Sequence, residues 1–427
     1  MTVPDIIDAQ EQYKSGNKHT GGEVGCLDDY QEKALKELWI KLLGHFEAVD
    51  GKPITVGNSL VKTDALSAAG ISTDDAAAID NWYSSNQEKV KDIVYQSVRD
   101  KMYLEGKRDV IVPSTFKPLF GDSADSRHFY NAFWQASIRF NSPDSHLLAF
   151  LRVNKWNVNT AFDKLVHSIN RRIDQEIDRL MWEGDRIQNC GITEKGLTIH
   201  VGCDRFGYPV SVVRVRLNAI RERCAADVER YASYTVEKAA LMARNFGEHG
   251  LLVYDFTDFK IENVDTAFTK TIITIIGGLY PQTFSATLLF VNSWLFSGLW
   301  KIIRGWFDPA MAKRTMIVKD IKALETFIDR DQINTEMGGT MKHTHHYIFP
   351  TKEENAKMFD VEGRQAAEDA FSKAIDSFIQ ETKNWTSGAG PTSYNADSRA
   401  QAASAFDSAA GNLDQYIRAR FMEERTQ

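Results

Sequence analysis

The chain has 427 residues, enough for two or three folding units with a sizeable core. Apolar residues make up 43% and charged residues 26%, and the net charge of −7 argues against general nucleic-acid binding and against whole-surface attraction to anionic membranes. Cys26, Cys190, Cys203 and Cys224 form no C-x-x-C pair, so zinc and dithiol redox readings are weak and reduced, partly buried thiols are expected.

Residues 1–25 are polar and glycine-dotted and read as a flexible lead-in. They carry no basic stretch followed by an apolar run, so no secretory signal is expected and a cytosolic chain fits best. From 26 to 185 the patterning is helical. "LDDYQEKALKELWIKLLGHFEAV" (27–49) sets Leu35, Leu38, Trp39, Leu42, Leu43 and Phe46 on one 3.6-period stripe, and 70–106 reads as further polar helices. Residues 142–180 predict helix, short break, helix, with Ser142 as N-cap, Pro143 at the first helical position, and Phe162, Leu165, Val166 and Ile169 as the apolar stripe of the second.

The character changes over 186–350. "GLTIHVGCDRFGYPVSVVRVRL" (196–217) is strand, turn, strand, with turn chemistry from Asp204, Gly207 and Pro209. A long helix (218–245), a buried strand (250–259), a helix (about 262–278) and two more strands (284–293 and 314–321) follow. This order predicts an α/β unit with a mainly parallel sheet and crossover helices. No charged residue occurs from Thr271 to Trp300, but Gly277, Gly278, Pro281 and Asn292 interrupt the run, so it reads as buried elements of a soluble domain rather than a membrane span. Residues 351–427 are helical again: Phe371, Ile375 and Phe378 share a face, 386–398 reads as a linker, and a last amphipathic helix or pair of helices follows.

No phosphate-binding loop, G-x-G-x-x-G or G-x-S-x-G elbow occurs, and no catalytic residue is assigned. In "HTHHYIFP" (343–350), alternation puts His343 and His345 on one side. With no H-E-x-x-H pattern or nearby cysteine, a surface loop is favoured over a metal site. Asp329 and Asp331 read as solvated carboxylates.

Several stretches then match one family in order. "HLLAFLRVNKWNVNTAFDKLVHSINRR", "DRFGYPVSVVRV", "GLLVYDFTDF", "YPQTFSATLLFVNSWLFSGLWKIIRGWFDPAMAKRTMIV" and "INTEMGGT" resemble the successive motifs of the CRAL-TRIO lipid-transfer family over about 142–350. "LDDYQEKALKELW" and "PTKEEN" resemble its filamentous-fungal members, which are similar to the yeast phosphatidylinositol/phosphatidylcholine transfer protein. The resemblance implies a sheet flooring an apolar pocket, with a gate helix at 294–307 that presents Trp294, Phe296, Trp300, Ile303, Trp306 and Phe307. Leu252 and Tyr254 are pocket-strand candidates. The tryptophans suit a membrane interface, and Lys301, Arg304, Lys313 and Arg314 form a local basic patch for anionic head groups.

The implied function is extraction of a phospholipid from membranes without covalent catalysis, at transient peripheral contacts, with Arg314, Gln282, Met311 and Arg152 as head-group candidates. Arg152 has packing of the helical element as its other role. Gln282 stands where phosphatidylinositol-binding members have glutamate, Met311 where they have threonine, and Arg314 where they have lysine. Gly250 and Leu252 replace the choline-binding serine and threonine, so phosphatidylcholine recognition by that route is not expected. A more apolar pocket opens an alternative: a sensor or regulatory protein binding a sterol, an isoprenoid or haem, for which Tyr254 and His200 are ligand types. No cofactor is required beyond a bound lipid. The long extensions are expected to pack around the lipid domain, or to serve self-association, a protein partner or a cover over the gate.

Overall fold

Short runs of β-branched and aromatic residues, each bounded by turn residues, pair into one sheet. The strands are β1 (Thr198–Cys203), β2 (Pro209–Arg214), β3 (Gly250–Asp255), β4 (Phe284–Phe290) and β5 (Thr315–Val318), and they lie side by side in chain order. β1 and β2 form the antiparallel hairpin, while β2 through β5 run parallel, as the strand–helix alternation predicts. The computed structural model describes residues 22–49, 111–121, 128–188, 190–218, 225–263, 265–291, 296, 300, 303–306, 309–388 and 397–425. The polar helices expected over 70–106 lie outside these.

Side chains alternate across the pleat, so the two faces of the sheet have different jobs. Val210, Val212, Leu251, Val253, Leu288, Met316 and Val318 pack on one face against Leu324, Phe327, Ile328, Ile333 and Met337. The opposite rows, Val213–Tyr254–Leu289 and Ser211–Leu252–Thr287, look toward the crossover helices.

The helical part gathers helices from before and after the sheet. Its helices are α1 (Asp29–Val49), α2 (His128–Ser137), α3 (Pro143–Val153), α4 (Val158–Asp174) and α5 (Ile177–Glu183). After the crossover helices α6 (Ala225–Ala243) and α7 (Thr266–Thr274) and the short α8 (Pro309–Arg314) come the C-terminal helices α9 (Val361–Ser387) and α10 (Asp397–Ile417). Leu35, Leu38, Trp39 and Leu42 of α1 enter the same core as Phe371, Ile375 and Phe378 of α9 and Phe406 of α10. The C-terminal extension is therefore part of the helical core rather than an appendage. A buried ion pair fastens it: Arg399 of α10 donates to Asp144 of α3, which also accepts from Trp39 Nε1 at 2.7 Å.

Ser142 caps α3 by accepting from the Asp144 amide, with Pro143 next, as the sequence predicts. In α4 the buried stripe is Ala161, Leu165, Ser168, Ile169 and Arg172, while Phe162 and Val166 are only half-buried at its edge. The expected stripe is thus rotated toward a polar side, because Arg172 reaches a buried carboxylate on α6. That carboxylate, Glu237, accepts from Arg172, from Arg139 at 3.1 Å and from the Tyr280 hydroxyl at 2.7 Å. Burial would raise Glu237, but the two guanidinium groups hold it below the usual carboxylate range.

Most of the lead-in (1–21) lies outside the described residues; Gly22–Cys26 forms a hydrogen-bonded turn against α3. One other expectation needs correction: Cys26 is exposed rather than partly buried. Residues 342–350 run extended without strand pairing, with His343 and His345 half-buried and His346 exposed. Among the described residues no cluster of histidine, cysteine and carboxylate side chains is arranged to hold a metal. Asp329 and Asp331 are exposed.

Candidate functional site

The crossover helices do not close tightly on the sheet. Between them and the rows of Leu252 and Tyr254 lies a cavity with about 760 Å³ of empty space, its mouth included. Its floor is Val213, Leu252, Tyr254, Thr287 and Leu289, and its wall is Ile272, Ile273 and Ile276 of α7 and the π-helical turn after it. Burial among these side chains pushes the Tyr254 phenol well above its ordinary range, so it stays neutral.

Phe296 and Ile303, both buried, complete the lining from the third side. Phe296 meets Phe256 edge-on at 4.7 Å between centroids and stacks on Trp300 at 6.1 Å. Trp306 is half-buried, with Lys270 Nζ 5.0 Å above its ring, so a cation–π contact joins this side to α7. Phe296, Trp300 and Ile303 are helical and Arg304–Trp306 is a 3-10 turn. Trp294 and Phe307 lie outside the described residues. Among the described residues no helix is long and apolar enough to cross a membrane.

One end of the cavity is polar, which the sequence reading missed. Asn218, Asn263, Asp265 and Thr269 line it. Asn218 Nδ2 donates to the Asn263 carbonyl at 2.8 Å and the Thr269 hydroxyl to the Asp265 carbonyl at 2.8 Å, so much of their hydrogen-bonding capacity goes to the backbone. Below this end Arg216 joins Asp255, at 2.9 Å, to Glu336 of "INTEMGGT". Gly339 of the same motif sits against the Ile333 carbonyl, where any Cβ would collide.

The four head-group candidates divide. Met311 turns into the cavity beside Leu252, Tyr280 and Phe284. The other three gather just outside the lining, at the other end of the strands. Arg152 Nε donates to Gln282 Oε1 at 2.5 Å, and Arg314 Nη1 approaches the Phe284 carbonyl at 3.4 Å. Gln282 is left-handed (φ 64°), a costly conformation for a side-chain-bearing residue, and its carbonyl is 2.8 Å from His249 Nδ1. Arg152 is weakened as a cation first by burial and also by Arg314, against the pull of Glu23 and Glu248. Burial also lowers His249, keeping its imidazole neutral. Tyr254 lines the cavity but His200 does not: it stands on edge strand β1 with Nδ1 2.9 Å from Ser211 Oγ.

The CRAL/TRIO domain family model matches residues 193–339, which hold the five-stranded sheet and every residue that lines the cavity, Phe296 and Ile303 included. Those residues form a CRAL/TRIO domain. Beyond this CRAL/TRIO domain, the chain is 27% identical over 392 residues to a protein of Eremothecium gossypii named phosphatidylinositol transfer protein CSR1, covering 85% of this chain and 87% of that one. It is 29% identical over 301 residues to the CRAL-TRIO domain-containing protein C3H8.02 of Schizosaccharomyces pombe, covering 69% and 67% respectively. Among solved structures it is similar to the crystal structure of Sfh5, at 15% identity and a TM-score of 0.39, covering 50% of this chain and 78% of that one.

Proposed function

We propose that this protein carries a lipid between membranes, holding its apolar chains in the cavity of the CRAL/TRIO domain and working from the cytosol at transient peripheral contacts. The carrying observation is that apolar enclosure: strand and helix side chains line it, and Phe296 and Ile303 close it. Each methylene kept from water is worth ~0.8 kcal/mol, so exposing the chains of a two-chain lipid would cost roughly 20 kcal/mol or more. A carrier avoids that cost only by offering an equally apolar interior and by loading at the bilayer surface. Similarity to a protein named for phosphatidylinositol transfer supports the same reading.

On this reading, uptake requires Phe296, Trp300 and Ile303 to leave the mouth while the bilayer replaces their apolar contacts. Met311 then meets the glycerol end of the lipid, and Arg152, Gln282 and Arg314 face its phosphate. A head group with net negative charge suits two guanidinium groups better than zwitterionic phosphatidylcholine does, and Gly250 and Leu252 offer a choline head no hydroxyl on β3.

The test is solvent extraction of the natively purified protein, with mass spectrometry of what it holds, alongside transfer of fluorescent phosphatidylinositol between vesicles. Leu252→Trp fills the cavity floor and should abolish transfer while circular dichroism stays native. A protein that holds no lipid and moves none overturns the proposal.

A further inference from the structure

The polar cluster beside the cavity already has an occupant from the chain itself. Arg152 sends Nη1 to the Gly22 carbonyl at 2.7 Å, in addition to its bond to Gln282. Gly22 is buried and left-handed (φ +86°), and it lies so close over Trp156 that a Cβ would come within 2.7 Å of the ring. The segment is folded back on itself by Gly22 N–H to the Cys26 carbonyl at 3.0 Å and Cys26 N–H to the Glu23 carbonyl at 2.9 Å. Beneath it, Lys155 and Trp156 are both left-handed (φ 52° and 63°), as is Gln282. Gln282, which accepts from the guanidinium, and Trp156, which lies against Gly22, thus share a sparsely populated conformation of the kind found at functional sites.

The segment also brings a charge. The Glu23 carboxylate acts on Arg152, His249 and Tyr208, three groups of this cluster. A carbonyl on one guanidinium nitrogen and a carboxylate nearby are what a head group with net negative charge would supply. We propose that the strap Gly22–Cys26 is an internal stand-in for an anionic head group, so that a ligand with net negative charge gains Arg152 only by displacing the strap. This rests on the lipid-carrier reading and adds a selectivity device to it. A lipid without a net anionic head group has no reason to displace the strap, whereas an anionic one competes with Gly22 and Glu23 for the same donors.

The experiment uses the full chain with two strap variants. Glu23→Gln removes the charge and leaves the turn. Gly22→Val unseats the turn, because its side chain meets Trp156 and its backbone disfavours φ +86°. Uptake is measured from vesicles containing fluorescent phosphatidylinositol or fluorescent phosphatidylcholine, and hydrogen exchange is followed in the peptide spanning residues 22–31.

Both variants should take up phosphatidylinositol about three- to tenfold better than the parent, the worth of one or two net hydrogen bonds, with phosphatidylcholine unchanged. Phosphatidylinositol vesicles should also speed exchange of the 22–31 peptide in the parent protein, and phosphatidylcholine vesicles should not. If inorganic phosphate alone speeds that exchange and slows phosphatidylinositol uptake, the displaced strap answers to free phosphate as well as to a head group. Parent and variants moving phosphatidylinositol equally, with exchange at 22–31 unaltered, would overturn the strap and leave the carrier reading standing. No lipid uptake by any of the three, with no response to phosphate, would overturn both.

Discussion

Replacing Asp144 by alanine asks whether the two ends of the chain truly share one core. Asp144 is 1% exposed and Arg399, which grips it through both terminal nitrogens, is 3% exposed. Removing the carboxylate leaves a buried guanidinium beside Thr382 Oγ1 at 3.3 Å and the faces of Phe378 and Trp385 at 4.9 and 4.4 Å. It also strands Trp39 Nε1. Breaking one side of a buried pair costs about 3–5 kcal/mol, because the remaining charge stays desolvated. At about 2–4 °C per kcal/mol for a domain of some two hundred residues, the melting temperature should fall by roughly 6–20 °C. Thermal unfolding followed by circular dichroism measures this, and the double variant Asp144→Leu with Arg399→Met should recover most of the loss, since no charge is left buried. A single variant that costs less than about 1 kcal/mol, or a double variant as unstable as the sum of the singles, refutes the claim that this pair fastens α10 to α3.

Three further outcomes are expected. Trp300→Asp places a charge at the cavity mouth and should stop vesicle-to-vesicle transfer while the far-UV spectrum is unchanged; normal transfer by a folded variant would remove Trp300 from the mouth. Lys270→Ala deletes the cation–π contact to Trp306, worth ~0.5–1 kcal/mol, and should speed release of a bound fluorescent lipid about two- to fivefold. Unchanged release kinetics would mean that this contact does not hold the mouth shut. His200→Leu concerns acid stability. Burial holds the imidazole at about 3, against an ordinary 6.5, with Lys238 adding to the effect. Below pH 6.5 the unfolded chain therefore takes up a proton that the folded one refuses, and stability is lost as pH falls from 6.5 toward 3. The variant should flatten that decline by up to about 1.4 kcal/mol per pH unit, read from urea unfolding at pH 7, 6 and 5. Parallel declines in the two proteins would show that His200 does not drive it.

Sequence carried the sheet well for a physical reason. β3 and β4 are covered on both faces, so they read as unbroken apolar runs, and the strands are joined in chain order with no crossing to guess. The caps of α3 were legible because Ser–Pro before an apolar stripe admits few alternatives. Helix α2 was not recognised, since "HFYNAFWQAS" is buried almost all round and leaves no polar face to mark a period.

At the candidate site, the motif positions pointed to Met311, Gln282, Arg314 and Arg152. Only the fold distinguishes the one that enters the cavity from the three beside it, because α8 turns Met311 and Arg314 to different neighbours. The polar end at Asn218, Asn263 and Asp265 was invisible, as such residues are ordinary loop composition. The strap was read as a loose lead-in because a segment held by one carbonyl and one carboxylate has no apolar signature.

The shared core of α1 to α4 with α9 and α10 has a consequence for biosynthesis. As the chain leaves the ribosome, β1 to β5 can pair with strands just made, so the CRAL/TRIO domain is able to fold while translation continues. Phe133 and Trp134 of α2 and Trp39 of α1 must wait, since Phe378 and Phe406 arrive more than two hundred residues later. Through that interval the N-terminal helices carry an unfilled aromatic face of the kind chaperones recognise. Any premature stop before α10 would make the wait permanent, with Asp144 left without the arginine that neutralises it.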